Sequence, residues 1–169
     1  STVIQVKERS YELSGVMVVE STIREYVAGD IAAHLIGQIG PIYAEEYEEL
    51  SDKGYAMNDV IGKSGIEEAF ESQLRGQNGK RTITLNSNGE VIDATVTEPP
   101  VPGNSIMLTI DMDLQQVAQD SLEEEILWLQ ANGEEGEGKD ATAGAVVALD
   151  CKTGEILAMA SYPTYNLAT

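Results

Sequence analysis

Gly62-Lys63-Ser64 carries the residues that close a phosphate-cradling loop, where backbone amides hold the phosphates and the lysine reaches the outer ones. That loop needs a further glycine five positions before Gly62, and Met57 stands there. The triplet is therefore expected to shape a turn, with Gly62 and Gly65 bending the chain and Lys63 in water. Asp111 and Asp113 have the spacing of the first two ligands of a calcium loop, but Gln116 occupies the position where such a loop needs glycine. His34 is the sole histidine and Cys151 the sole cysteine, so this chain cannot assemble a Cys/His zinc site or an internal disulfide. His34 lies in an apolar stretch with no serine or cysteine nucleophile pattern and is expected to be a hydrogen-bonded structural residue. Cys151 has no basic cluster around it to stabilise a thiolate and is expected to be inert. Paired carboxylates could act as general acid and base on a glycan. The acidic runs Glu45-Glu46, Glu48-Glu49 and Glu123-Glu124-Glu125 instead fall on helical segments, where they are expected to face water, and Trp128 alone could serve as a sugar platform. No catalytic residue, cofactor site or metal site is assigned.

The elements that must position these residues belong to a chain of 169 residues, enough for one domain or two small ones. With 42% apolar residues it can build a core without disulfides. Asp and Glu number 29 against 10 Lys and Arg, a formal charge of −19. Such a field opposes approach to phosphate backbones and excludes a nucleic-acid partner, while attracting basic proteins or divalent cations. No run of about 20 apolar residues is present, and Ser1–Val6 lacks the features of a signal peptide, so the segment itself is expected to be soluble.

Hydrophobic period and punctuation mark out the elements. Gly15–Glu20 reads as a buried strand. Asp30 is expected to cap a helix over Ile31–Ile36, with Ile31, Leu35 and Ile39 on one face, ended by Gly37 and Gly40-Pro41. A second, acidic helix covers Ala44–Leu50 and stops at Asp52-Lys53-Gly54. Ser64-Gly65-Ile66-Glu67 has the form of a capping box opening a helix with Ile66, Phe70 and Leu74 on one face, a Glu71–Arg75 pair, and Gly76 as a left-handed stop. Thr82–Leu85 and Val91–Val96 read as a hairpin turned by Asn86-Ser87-Asn88-Gly89. Glu98–Gly103, with three of the five prolines, is expected to be a stiff extended connection. Beyond it come a strand at Ile106, Leu108 and Ile110, then a long helix capped by Asp111 with Leu114, Ala118, Leu122, Ile126 and Leu129 on one stripe. A mobile glycine-rich loop over Asn132–Asp140 precedes a second hairpin, 145–149 with 155–160, turned by Asp150–Gly154. The class is α+β, mixed helices and antiparallel hairpins, divided into residues 1–98 and 99–169.

Lys152-Thr153-Gly154 matches an element of serine penicillin-recognising enzymes, but no serine of the chain has lysine three positions later, and Ser-x-Asn is absent, so here it is expected to be a hairpin turn. A larger pattern is more specific. Arg24-Glu25-Tyr26 followed by Ala32-Ala33-His34-Leu35-Ile36-Gly37 resembles the Arg-x-Tyr-Pro and Ala-Ala-His-x-x-Gly segment of the class B penicillin-binding proteins, the bacterial D,D-transpeptidases that cross-link peptidoglycan. Gly62-Lys63-Ser64-Gly65-Ile66-Glu67, then Glu71 and Leu74-Arg75-Gly76, resembles that family's Gly-Lys-x-Gly-x-Glu to Leu-Arg-Gly segment. Both lie in its pedestal, or dimerisation, domain. Pro102-Gly103 through Asp111 and Leu114-Gln115 resembles the entry into the transpeptidase domain, and Gly144–Asp150 with Thr153-Gly154 through Pro163 resembles that domain's first hairpin. Val27 stands where the family has proline.

The resemblance implies residues 1–98 as pedestal and 99–169 as the opening of a transpeptidase (serine β-lactamase-like) fold, ending before the family's Ser-x-x-Lys. It implies a non-catalytic scaffold that positions a D,D-transpeptidase at the outer face of the bacterial cytoplasmic membrane, its parent anchored there by an N-terminal helix. The implied partners are proteins of the elongation or division machinery, or a second copy in a homodimer. Peptidoglycan and β-lactams would be met only through the rest of the transpeptidase domain. The motif residues carried over are structural: Arg24, His34, Gly37, Gly62, Lys63, Gly65, Glu67, Glu71, Arg75, Gly76, Pro102, Gly103, Asp111, Gln115, Asp150 and Gly154. The rival reading is a free-standing cell-envelope interaction module without an enzymatic parent.

Overall fold

A computed structural model describes residues 2–9, 12–13, 16, 23–87 and 91–168. The strand expected over Gly15–Glu20 lies, Val16 apart, outside the described residues, as does the Asn88-Gly89 pair of the first hairpin turn. The chain divides into two compact units, one from Ser1–Arg24 and Arg75–Asn104, the other from Glu25–Leu74 and Ser105–Thr169.

The first unit holds helix α1 (Thr2–Glu8) and the antiparallel pair β3 (Lys80–Leu85) and β4 (Val91–Glu98). Ile83 faces Ala94 in the register, and both are half-buried while the flanking positions are exposed. Glu98–Gly103 runs extended as expected. Val101 exchanges both backbone hydrogen bonds with Gln77, at 2.7 and 3.0 Å. Gly76 is not the left-handed stop that its place after Leu74-Arg75 suggested: its φ lies outside the left-handed region, and the helix has already ended at Leu74. The glycine is needed because a Cβ there would meet the Val101 carbonyl.

The second unit holds α2 (Ala33–Ile36), β1 (Ile39–Pro41), α3 (Ala44–Leu50), β2 (Val60–Gly62), α4 (Gly65–Ala69), α5 (Glu71–Leu74), α6 (Met112–Asn132), β5 (Gly144–Leu149) and β6 (Ile156–Tyr162). β1 pairs antiparallel with β2, and β5 with β6. Helix α6 packs on β6, whose Ala158 and Ala160 sit two apart on one face and are buried to 0% and 2% exposure, small enough for the helix to approach closely. Of the α6 stripe, Ile126 is fully buried, Ala118, Leu122 and Leu129 half-buried, and Leu114 exposed. Asp111 caps α6 as expected, its carboxylate accepting from the Leu114 amide at 3.0 Å. In the hairpin turn the Asp150 carboxylate accepts from the amides of Lys152 (2.7 Å) and Thr153 (3.2 Å), and Gly154 takes φ +78°.

Several local expectations give way to tertiary contacts. Asp30 does not cap α2: the cap position is Ala32, held left-handed at φ 55°, while the Asp30 carbonyl serves chain-distant donors. Ile39 belongs to β1 rather than to the helical face of Ile31 and Leu35. Ile106–Ile110 is extended but forms no strand. Its C-terminal end is bonded to β6, where Thr109 Oγ1 donates to the Ile156 carbonyl (2.6 Å) and the Asp111 amide just beyond it to the Leu157 carbonyl (2.9 Å). The helix begun at Gly65 breaks at Phe70, φ −116°, into α4 and α5.

Candidate functional site

In the second unit the sequence motifs converge where the end of α2, the end of β2 and the start of α4 meet. Gly37 takes φ +78° and ψ −171°, a conformation almost confined to glycine, and a Cβ there would fall on the Ser64 carbonyl. A Cβ on Gly62 would fall on the Glu67 carbonyl, and one on Gly65, φ +59°, would lie 2.5 Å from the Leu35 carbonyl and 2.8 Å from the Gly37 amide. Backbone therefore packs against backbone across three elements. The glycines at 62 and 65 do bend the chain, but what demands them is this close approach.

The side chains around the junction act differently from the expected capping box. Ser64 is the N-cap residue of α4 by position, yet no side-chain cap forms: its hydroxyl accepts from the Gln38 amide at 3.1 Å, joining α4 to the strand leading from α2. Glu67 is buried at 6% exposure. Glu71 Oε2 accepts from the buried Gly62 amide at 2.8 Å, and Oε1 from the Tyr55 hydroxyl at 3.4 Å. Lys63 is not solvated. Its ammonium donates to Glu46 Oε1 at 2.7 Å and stands 4.2 Å from the centre of the Tyr43 ring, with its side chain only 17% exposed. Glu46 also accepts from the Tyr43 amide at 2.7 Å, the half of a capping box in which the third helical residue reaches back to the amide of the cap residue, while Tyr43 makes no side-chain cap. The Lys63 hydrogen bond first, and then the Tyr43 amide, hold the Glu46 carboxyl below its ordinary 4.5. Of the acidic face expected to be wholly in water, Glu45, Glu48 and Glu49 are exposed but Glu46 is tied down.

A second polar cluster ties residues 29–34 to α6 and to the segment after β6. Ala32 donates its amide to Gln119 Oε1 at 2.7 Å, and Gln119 Nε2 donates to the Asp30 carbonyl at 3.2 Å. Thr164 Oγ1 donates to the same carbonyl at 3.3 Å, Tyr165 Oη to the Ala33 carbonyl at 3.2 Å, and the Leu167 amide to the Gly29 carbonyl at 3.0 Å. His34 lies 2.9 Å from the Pro163 carbonyl. That oxygen can only accept, so Nε2 carries the hydrogen, and the ring also meets Tyr165 edge-on with centroids 4.8 Å apart. His34 is the hydrogen-bonded histidine its sequence context suggested. Gln115, fully buried, accepts from the Met159 amide at 2.7 Å and donates to the Met159 carbonyl and to Gln119 Oε1, each at 2.9 Å.

The structure thus gathers His34, Gly37, Gly62, Lys63, Gly65, Glu67, Glu71, Asp111, Gln115, Asp150 and Gly154 in one unit. Arg24, Arg75, Gly76, Pro102 and Gly103 fall in the other. Sequence reasoning missed Gln119, Tyr43, Glu46, Thr164 and Tyr165. For Gln119 a signal existed: it follows Gln115 by one helical turn on the same face. Among the described residues no group of three or more His, Cys, Asp or Glu is placed to hold a metal. No helix among them is long and apolar enough to cross a membrane. What the arrangement does chemically is fix backbone to backbone through satisfied polar groups and close glycine contacts.

The penicillin-binding protein dimerisation domain, as a family model, matches residues 1–108. The chain belongs to this family. It is 30% identical over 98% of its length to the peptidoglycan D,D-transpeptidase MrdA of Acinetobacter baumannii, of which it covers 22%. Penicillin-binding protein 2B of Streptococcus pneumoniae superposes with a TM-score of 0.71 at 27% identity, covering 94% of this chain and 26% of that one. Penicillin-binding protein 2 of Helicobacter pylori, in complex with MreC, gives 0.61 at 26% identity over 85% of this chain and 23% of that one. The chain spans about a fifth of the length of the curated relative it matches. It therefore resembles the dimerisation, or pedestal, region of the class B penicillin-binding proteins, and its mixed helices and antiparallel strand pairs are those expected of that region.

Proposed function

We propose that this chain is the non-catalytic scaffold portion of a peptidoglycan D,D-transpeptidase, with residues 1–98 as the pedestal and 99–169 as the opening of the transpeptidase domain. The motif residues carried over from the family are structural on this reading, and none is a catalytic group. The observation that carries it is the bonding of the pedestal residues 29–34 to Gln119 and to residues 163–167. Six hydrogen bonds, Ala32–Gln119, Gln119–Asp30, His34–Pro163, Thr164–Asp30, Tyr165–Ala33 and Leu167–Gly29, join the two sequence segments inside one compact unit. A support that must set the orientation of a catalytic domain needs such a mounting, because each flexible link would spread the positions of the reacting groups.

The parent would stand at the outer face of the cytoplasmic membrane, where its peptidoglycan substrate is. A partner from the elongation or division machinery would meet the pedestal, a reading supported by the Helicobacter pylori neighbour, which is seen in complex with MreC. The experiment treats the native full-length protein and residues 1–169 side by side with a fluorescent penicillin. The full-length protein should be labelled covalently and the shorter chain should not, since no serine in it has the lysine partner that activates the family's nucleophile. Labelling of residues 1–169, or a native protein that takes no label, would overturn the proposal.

A further inference from the structure

We propose that Gln115 and Gln119 are positioning residues that form a directed hydrogen-bond relay, latching Ala32 in its left-handed conformation and tying that latch to strand β6. Ala32 is the one residue other than glycine with positive φ among the described residues, at φ 55° and ψ 28°. An L-residue resists this conformation because its Cβ crowds the following carbonyl, so something outside the local chain must hold it there. Gln119 does so by gripping both sides: its Oε1 takes the Ala32 amide and its Nε2 takes the Asp30 carbonyl. With Ala32 held, its carbonyl accepts from both Leu35 and Ile36 at 2.9 Å and starts α2, which carries His34 to the Pro163 carbonyl.

The relay has one polarity. Gln115 Oε1 must face the Met159 amide, because the reverse orientation would set its oxygen against the Met159 carbonyl and its NH2 against the Met159 N–H. Its second amide hydrogen then points at Gln119 Oε1, which accepts from Gln115 and Ala32 together. Gln115 is fully buried, so without Gln119 that hydrogen has no water to turn to. The Gln115 amide must rotate to find an acceptor, and in rotating it loosens its hold on Met159. A disturbance at the 30–32 turn is therefore felt at the edge of β6, and the reverse. The consequence, that orientation of the pedestal is communicated to the transpeptidase strand, rests on the function proposed above, whereas the relay itself is tested on this chain alone.

The test is site-resolved amide hydrogen exchange on the 15N-labelled chain, with Ile126 in mid-α6 and Val146, which faces Ala160 in a hydrogen-bonded pair of β5 and β6, as references for global opening. In Gln119→Met, exchange at the Met159 amide should rise by roughly two- to tenfold beyond the rise at the references, the range for loss of one net hydrogen bond. Gln115→Met should do the same at Ala32. Gln119→Glu keeps an acceptor for Gln115 but loses the donor to the Asp30 carbonyl, so exchange should rise in the 30–32 turn while Met159, whose link to Gln115 is kept, stays within about twofold of the wild type relative to the references. If Met159 in Gln119→Met moves only in step with Ile126 and Val146, the relay is refuted. Should Gln115→Met fail to fold, the two Gln119 variants decide the matter by themselves. Because exchange is read without any penicillin or partner, failure here leaves the labelling experiment to judge the scaffold function separately.

Discussion

Gly37→Ala tests the junction most directly, with Gly54→Ala as its control. Both glycines have φ near +80°, 78° and 82°, but Gly54 has ψ 23° and nothing within 4 Å of the place an added methyl group would take, whereas at Gly37 the Ser64 carbonyl already occupies it. An alanine at Gly54 bears the left-handed cost of about 1–2 kcal/mol, less about 0.4–1 kcal/mol from the reduced freedom of its unfolded chain. An alanine at Gly37 meets a rarer backbone region, costing about 1–3 kcal/mol. It also meets the overlap with Ser64, which adds about 1–3 kcal/mol because the obstruction is backbone and cannot swing aside. The expected gap between the two variants is about 2–4 kcal/mol. With a urea slope of about 2 kcal/mol/M this is a midpoint difference of about 1–2 M. Trp128 fluorescence reads the transition, since Trp128 lies on α6 in the same unit as both glycines. Equal midpoints for the two variants would refute the close approach of α2, β2 and α4.

Other expectations follow from the same contacts. Glu71→Ala should lower stability by about 1–3 kcal/mol, because the buried Gly62 amide loses its acceptor, and an unchanged urea midpoint would contradict that bond. Asp111→Ala should cost about 0.5–2 kcal/mol through the lost cap on α6, with Asp111→Asn recovering most of it in the same unfolding assay. The Glu46 carboxyl is held below its ordinary 4.5 by Lys63 and the Tyr43 amide, so its stabilisation is complete above that value and is lost as pH falls through the lower folded-state one. The urea-midpoint gap between wild type and Glu46→Gln should therefore be widest near pH 6, an assay pH of about 1.5 units above the ordinary value, and shrink under acid; a gap that widens on acidification would contradict the pairing.

What was legible in the sequence had its partner within a few residues. Asp111 caps the amide three positions on, and Asp150 takes those two and three positions on, so residue type and spacing sufficed. The hairpins and α6 were legible from their periods. Where a polar side chain had a choice, local reasoning took the nearer partner. Ser64 and Glu67 mark the start of α4 correctly, yet the serine hydroxyl goes to Gln38, 26 positions away. Lys63 looks like any exposed lysine until β1 and α3 bring Glu46 and Tyr43 against it. Ile106–Ile110 alternates like a strand, but alternation reports a face and not a neighbour, and on the edge of β6 away from β5 the Met159 amide and carbonyl are taken by the Gln115 side chain.

The bonds that carry the proposed function were the least legible for a further reason. In each of the six that join residues 29–34 to Gln119 and to 163–167, at least one atom is backbone: the carbonyls of Gly29, Asp30, Ala33 and Pro163, and the amides of Ala32 and Leu167. Every residue but proline offers the same amide, and every residue the same carbonyl, so side-chain identity at those positions says nothing about which of them will be used. The sequence records only the other halves of the pairs, Gln119, His34, Thr164 and Tyr165, and each of these has an ordinary surface role by default. A joint built this way tolerates substitution at its backbone positions provided the chain path is kept. The glycines at 37, 62 and 65 keep that path, because no side chain fits where the elements cross. Glycine motifs and scattered polar residues are therefore two views of one joint, the first fixing where the backbone runs and the second fixing it to α6 and to the residues beyond β6.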